Sequence, residues 1–131
     1  MKERRFLPVL FALLALIYAI VIFSLSSLSG EDIPALPPEA PQADKLAHFA
    51  LYAGFGVVLN LAFSQTSLEK IRERAIPLTI IVGTVYGVTD ELHQHFVPGR
   101  SMDIVDVLVD FLAILAAVGV ILLIKKIRPS K

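Results

Sequence analysis

The chain has 131 residues, 56% of them hydrophobic and 18% charged, with 12 basic and 12 acidic side chains and no cysteine. Zero net charge removes the electrostatic basis for a nucleic-acid partner, and the lack of thiols excludes disulfides, thiolate catalysis and Cys-based metal sites. The charges are gathered in short blocks between long apolar runs, the pattern of a chain whose apolar surface is taken up by a bilayer, and the length suits one domain over residues 1–131.

The first apolar run predicts a helix over about 6–28, with no charged residue from Phe6 to Gly30. About 20 apolar residues cross a hydrocarbon core of about 30 Å. Lys2, Arg4 and Arg5 precede the run, and Ser27-Leu28-Ser29 has the small-residue character of a signal-peptide cleavage site. A signal peptide's apolar region is only about 7–15 residues long, however, so a retained helix is expected. Pro8 is placed in its first turn, where a missing N–H costs little. Residues 29–43 read as a loop, because Pro34, Pro37, Pro38 and Pro41 forbid continuous helix. That loop also carries Glu31, Asp32 and Glu39.

A second helix is predicted over about 45–63, with Asp44 as its N-cap and with His48 and Asn60 interrupting the apolar run. Residues 64–74 form a short basic turn. The third helix, about 75–96, is apolar only as far as Thr89 and continues through Asp90, Glu91, His93, Gln94 and His95 until Pro98-Gly99 stops it. Its polar end must be solvated or shielded by neighbouring protein. Gly83 and Gly87 let this helix approach another closely inside the bundle. The fourth helix, about 103–124, has Asp106 and Asp110 within it and is followed by Lys125, Lys126, Arg128 and Lys131.

Ten of the twelve Lys and Arg residues lie in the N-terminal segment, the 64–74 turn and the C-terminal segment. By the positive-inside rule these are cytoplasmic. The sequence therefore predicts an all-α integral membrane four-helix bundle, multi-pass, with both termini in the cytoplasm.

This topology gathers the ionisable residues at the outer face: Asp44, Lys45 and His48 on the second helix, Asp90 to His95 on the third, and Arg100, Asp103, Asp106 and Asp110 at the fourth. Lys45, His48 and Tyr52 share one stripe by their i, i+3, i+7 spacing, as do Asp103, Asp106 and Asp110. An ionised Asp at mid-helix costs roughly 2.5–3.5 kcal/mol by insertion scales, so such groups face the interior, find a partner or take up a proton. Asp106 is expected to pair with Arg100 or Lys45. Candidate ligand-binding residues are Asp44, Lys45, His48, Tyr52, Asp90, Glu91, Gln94, Arg100, Asp106 and Asp110. Glu91 and Asp90 are candidate general bases, and His48, Glu91, His95 and Asp106 have the donor types of a divalent metal site.

Asp44-Lys45-Leu46-Ala47-His48-Phe49, followed by Tyr52, resembles the first motif of the VanZ-like membrane protein family. Asp90-Glu91-Leu92-His93-Gln94 with Phe96-Val97-Pro98-Gly99-Arg100-Ser101 resembles its second, Asp106 matches the acidic residue that follows, and Phe23-Ser24-Leu25-Ser26-Ser27 is similar to its first-helix pattern. Asp110 and Ala113 stand where the family usually has Asn and commonly Gly. The resemblance implies a small protein of the bacterial plasma membrane, in a family named from a protein linked to resistance against the glycopeptide teicoplanin.

Three functional classes follow. In the first, Lys45 and Arg100 grip an anionic group of an envelope component, a lipid-linked precursor or a glycopeptide, while the acids position amines or hydroxyls. The second is a membrane-embedded enzyme, metal-dependent in one version, acting on a lipid-linked or cell-wall substrate. No H-E-x-x-H, G-x-S-x-G or P-loop motif supports it, so the sequence leans away from catalysis and calls for no cofactor beyond that candidate divalent metal. The third is a small proton-coupled carrier using Asp106 and Asp110.

Overall fold

A computed structural model of the protein describes residues 3–32 and 42–128, with side chains described from Phe6 onward. Pro34, Pro37, Pro38, Pro41, Glu39, Lys2, Lys131 and the side chains of Arg4 and Arg5 lie outside the described residues. The described residues form five helices and no strand: α1 (Glu3–Ser26), α2 (Ala43–Gln65), α3 (Glu69–Arg72), α4 (Ala75–Gln94) and α5 (Ile104–Ile127). The four longer helices have 20 to 24 residues. At about 1.5 Å per residue each reaches the roughly 30 Å needed to cross a bilayer, and each is apolar enough to do so.

The boundaries refine the sequence reading. α1 begins at Glu3, so Pro8 lies in its second turn and removes one helical hydrogen bond. α2 begins two residues before Lys45, which makes Gln42 the N-cap, with no side-chain cap bond, and puts Asp44 inside the first turn. The basic 64–74 turn contains the one-turn helix α3. α4 stops at Gln94. There the amides of Phe96 and Val97 bond the carbonyls of His93 and Gln94 at 2.9 and 3.0 Å, the tightened ending of a helix about to break. α5 starts one residue later than expected because Asp103 is its cap, its side chain accepting from the Val105 N–H at 2.8 Å.

α2 is the central helix and packs against α1, α4 and α5, while α4 also packs on α5. The core joins Tyr52, Phe55 and Leu59 of α2 to Ile22 of α1 and to Ala113 and Ile114 of α5. Phe55 stacks on Tyr18 at 5.8 Å and meets Tyr86 at 5.0 Å. Gly83 lies over Ile114, where an added Cβ would come within 2.7 Å of Cδ1, and Gly87 lies over Asp110 and Tyr52. The G-x-x-x-G pair therefore serves contact within the bundle. Leu7, Leu13, Leu16, Ile17 and Ile20 of α1 remain exposed, as suits a lipid-facing surface.

The end of the bundle where α1 stops and α2 starts also holds the α4–α5 turn. The Gly30 N–H donates to the Pro98 carbonyl at 3.0 Å. Gly99 has φ +73°, and a Cβ on Gly30 would run into its carbonyl. Glycine at both places lets the two turns touch. All the ionisable residues singled out from the second, third and fourth spans lie at this polar end.

Candidate functional site

α2 and α5 both run inward from the polar end, so equal steps along them descend together. Lys45 and His48 on α2 consequently meet Asp106 and Asp110 on α5. Lys45 Nζ is 2.8 Å from Asp106 Oδ1 and 3.0 Å from Asp103 Oδ2. Arg100 does not take Asp106; its guanidinium donates to Gln94 Oε1. The reason is reach along one face: Lys45 sits opposite the start of α5, whereas Arg100 leaves the turn toward the end of α4. Asp103 lies just before α5, and its bond to the Lys45 ammonium, with the Val105 amide second, holds its carboxyl below the usual carboxylate range.

One level deeper, His48 Nδ1 lies 3.0 Å from Asp110 Oδ1, and its Nε2 lies 3.9 Å from Glu91 Oε1. Glu91 is 0% exposed and Asp110 1%. The other Glu91 oxygen, Oε2, accepts the backbone N–H of Asp103 at 3.0 Å, so a side chain of α4 helps hold the start of α5. The buried ends of α4 resolve the question raised by its polar sequence: Asp90, Glu91 and Gln94 are shielded by protein.

Beside these pairs lies a cavity of about 250 Å³. Its lining mixes apolar side chains, Ile22, Leu25 and Leu28 near the end of α1 and Leu51 of α2, with the polar His48, Tyr52, Asp90, Gln94 and Arg100. Asp32 and Asp44, both exposed, also border it. Three buried polar atoms on its lining residues make no hydrogen bond of ordinary length: Ser26 Oγ, Asp90 Oδ1 and Tyr52 Oη, the last lying close to the Asp90 carboxyl. A buried polar group without a partner costs about 1–3 kcal/mol, so these residues carry a local cost beside the cavity. A larger groove of about 500 Å³, lined by Thr84, Ile104, Val105, Val107, Leu108 and Phe111, carries no ionisable side chain.

The structure thus brings together most of the residues singled out from the sequence. Asp44, His48, Tyr52, Asp90, Gln94 and Arg100 border the cavity, and Lys45, Glu91, Asp106 and Asp110 form the ion pairs and buried acids beside it. His95 departs from the expected metal set. It caps α4, is exposed, and lies edge-on to Phe96 at 5.3 Å. Among the described residues the clusters with ligand spacing are His48, Glu91 and Asp110, and Asp44, His48 and Asp106. His95 lies outside both clusters because it caps the exposed end of α4, whereas Asp110 lies inward on α5 directly against His48. Sequence reasoning missed Ser26, although it lies inside the Phe23–Ser27 pattern, and it missed the structural use of His93. His93 Nε2 lies 3.0 Å from Ser27 Oγ, and its ring stacks on Phe23 at 4.5 Å, joining α4 to α1.

A family model described as VanZ/LLP1 matches residues 6–125, nearly the whole chain. No curated protein and no solved structure matches it.

Proposed function

The chain belongs to the VanZ/LLP1 family of membrane proteins, and on that premise we propose that it binds the polar head of a lipid-linked envelope component at the polar end of its bundle. The observation that carries this reading is a cavity lined by both apolar side chains, Ile22, Leu25, Leu28 and Leu51, and polar ones, with Asp90, Gln94 and Arg100 among them. An amphiphile satisfies both kinds of lining at once. At about 250 Å³ the cavity is close to the lower bound of small-ligand pockets, about 300–1,000 Å³. That size takes a head group and not an entire glycopeptide, so a link to teicoplanin response would run through the envelope precursor.

Charge refines the ligand. Lys45 is engaged by two carboxylates, which leaves Arg100 as the cation bordering the cavity, held through the neutral Gln94 amide. A guanidinium suits a phosphate or carboxylate, and Asp90 suits a hydroxyl or amine. The basic segments are assigned to the cytoplasm of a bacterial plasma membrane and the polar end to the exterior, where such head groups are exposed.

The experiment is mass spectrometry of lipids extracted from protein purified in lipid nanodiscs, comparing wild type with Arg100→Gln and Asp90→Asn. A species enriched in the wild type and depleted in both variants is expected. An identical lipid complement in all three, with unchanged gel-filtration profiles, sinks the proposal. One observation favours a second reading, catalysis on the same class of substrate: a histidine and a carboxylate 3.0 Å apart have the geometry of an oriented general base. Turnover of the enriched lipid by wild type and not by His48→Gln would support it.

A further inference from the structure

We infer that His48, Glu91 and Asp110 form a binding site for one divalent transition-metal ion, of the Zn²⁺ or Mn²⁺ class, between α2, α4 and α5. One donor atom from each of the three residues lies within 4.8 Å of the other two, and all three residues are buried. The two shortest separations involve different imidazole nitrogens, Nδ1 at 3.0 Å from Asp110 Oδ1 and Nε2 at 3.9 Å from Glu91 Oε1, so one nitrogen takes the ion and the carboxylate beside the other closes on it from within the 4.8 Å cluster. Donors held about 2.0–2.2 Å from a tetrahedral ion stand roughly 3.3–3.6 Å apart.

A second observation points to the same ligand. Glu91 Oε1 and Asp110 Oδ2 are buried and make no hydrogen bond, and Glu91 Oε1 is the atom that faces His48 Nε2. Gly87 lets α4 pack closely on these groups, since a Cβ there would stand 3.3 Å from Asp110 Oδ2 and from the Tyr52 ring. Two hard carboxylates and one borderline imidazole form the donor set, and a divalent ion balanced by two carboxylates leaves no net charge in the low-dielectric interior.

The competing cluster of Asp44, His48 and Asp106 is the poorer site. Asp106 Oδ1 already accepts from Lys45 at 2.8 Å, which would set an ammonium against the ion, and Asp44 is exposed. The inference stands apart from the head-group reading, since the metal alone is the probe.

Untagged full-length protein, stripped of metal in detergent, is titrated with Zn²⁺ and then with Mn²⁺ by calorimetry and elemental analysis. The expected result is one ion per chain, bound at least tenfold more weakly by Glu91→Gln and by Asp110→Asn and within twofold of wild type by Asp44→Asn. Absence of saturable binding to the wild type overturns the inference, as does Asp44→Asn weakening binding as much as Asp110→Asn. If a variant does not fold, pulsed EPR of Mn²⁺-loaded wild type decides: coupling to one imidazole nitrogen is expected, and its absence overturns the site.

Discussion

Tyr52→Phe separates a ligand site from a structural network, because the two assign opposite signs to its effect on stability. The Tyr52 side chain is 0% exposed, its ring meets Phe55 edge-on at 6.2 Å and lies parallel to His48 at 6.4 Å, and its hydroxyl lies close to the Asp90 carboxyl without making a hydrogen bond of ordinary length. Phenylalanine keeps every ring contact and deletes only the orphan oxygen. Relief of an unpaired buried hydroxyl is worth about 1–3 kcal/mol, or a rise of roughly 3–5 °C in Tm per kcal/mol for a chain of this size. A lipid head group that supplied the missing partner, as the proposed function has it, would at the same time be retained about 2–10-fold less well, the range of one neutral hydrogen bond. Thermal unfolding of delipidated protein in detergent gives the first quantity, and lipid mass spectrometry gives the second. A lower Tm with undiminished lipid would refute the reasoning, because the hydroxyl would then be holding the bundle and not a ligand.

Lys45→Met leaves the Asp106 side chain, 7% exposed, without its cation. Stranding a fully buried charge costs about 3–5 kcal/mol; since Lys45 is itself 29% exposed, about 2–3 kcal/mol is expected. Adding Asp106→Asn should restore most of it, and additive losses in denaturant unfolding would contradict the pair. Asp103, whose carboxyl Lys45 and the Val105 amide hold below its ordinary 3.8, stabilises the fold above that ordinary value and loses this contribution as pH falls through the lower folded value. Asp103→Asn keeps the cap without the charge, so the Tm gap between it and wild type should narrow as pH falls from about 6 toward 3; a constant gap would deny the linkage. Gly83→Ala drives a Cβ to within 2.7 Å of Ile114 Cδ1, an overpacking cost of about 1–3 kcal/mol offset by about 1 kcal/mol of helix propensity. Ile114→Val removes that methyl, so the double variant should be more stable than the sum of the singles by about 1 kcal/mol, measured as a double-mutant cycle.

The spans were legible because a bilayer imposes a length of about 20 apolar residues on any helix that crosses it. The polar stripe of Lys45, His48 and Tyr52 was legible because helical periodicity is local. Boundaries were less so. Nothing in the composition distinguishes Asp44 inside the first turn from Asp44 at the cap, and Asp103 emerged as a cap only through its bond to Val105. What one sequence does not contain is the rotation of each helix about its axis relative to its neighbours. For that reason Arg100 and Lys45 were equal candidates for Asp106, and His95, which matches Glu91 in spacing, displaced Asp110 from the expected metal set.

The parallel descent of α2 and α5 turns that missing rotation into chemistry. Once Lys45 faces Asp106, the next inward residue on the same stripe of α2, His48, must face the next inward acid of α5, Asp110. The outer pair contains its own cation and is complete. The inner pair meets Glu91 from α4 and has one imidazole for two carboxylates. Register therefore divides two similar-looking sequence pairs into a structural tie near the surface and a buried acid-rich cluster below it. Since Lys45 is committed to the tie, Arg100, held in the turn that Gly30 and Gly99 bring together, is the residue the proposed function assigns to the ligand's anionic group. Substituting Lys45 should accordingly change stability more than lipid retention, and substituting Arg100 should do the reverse.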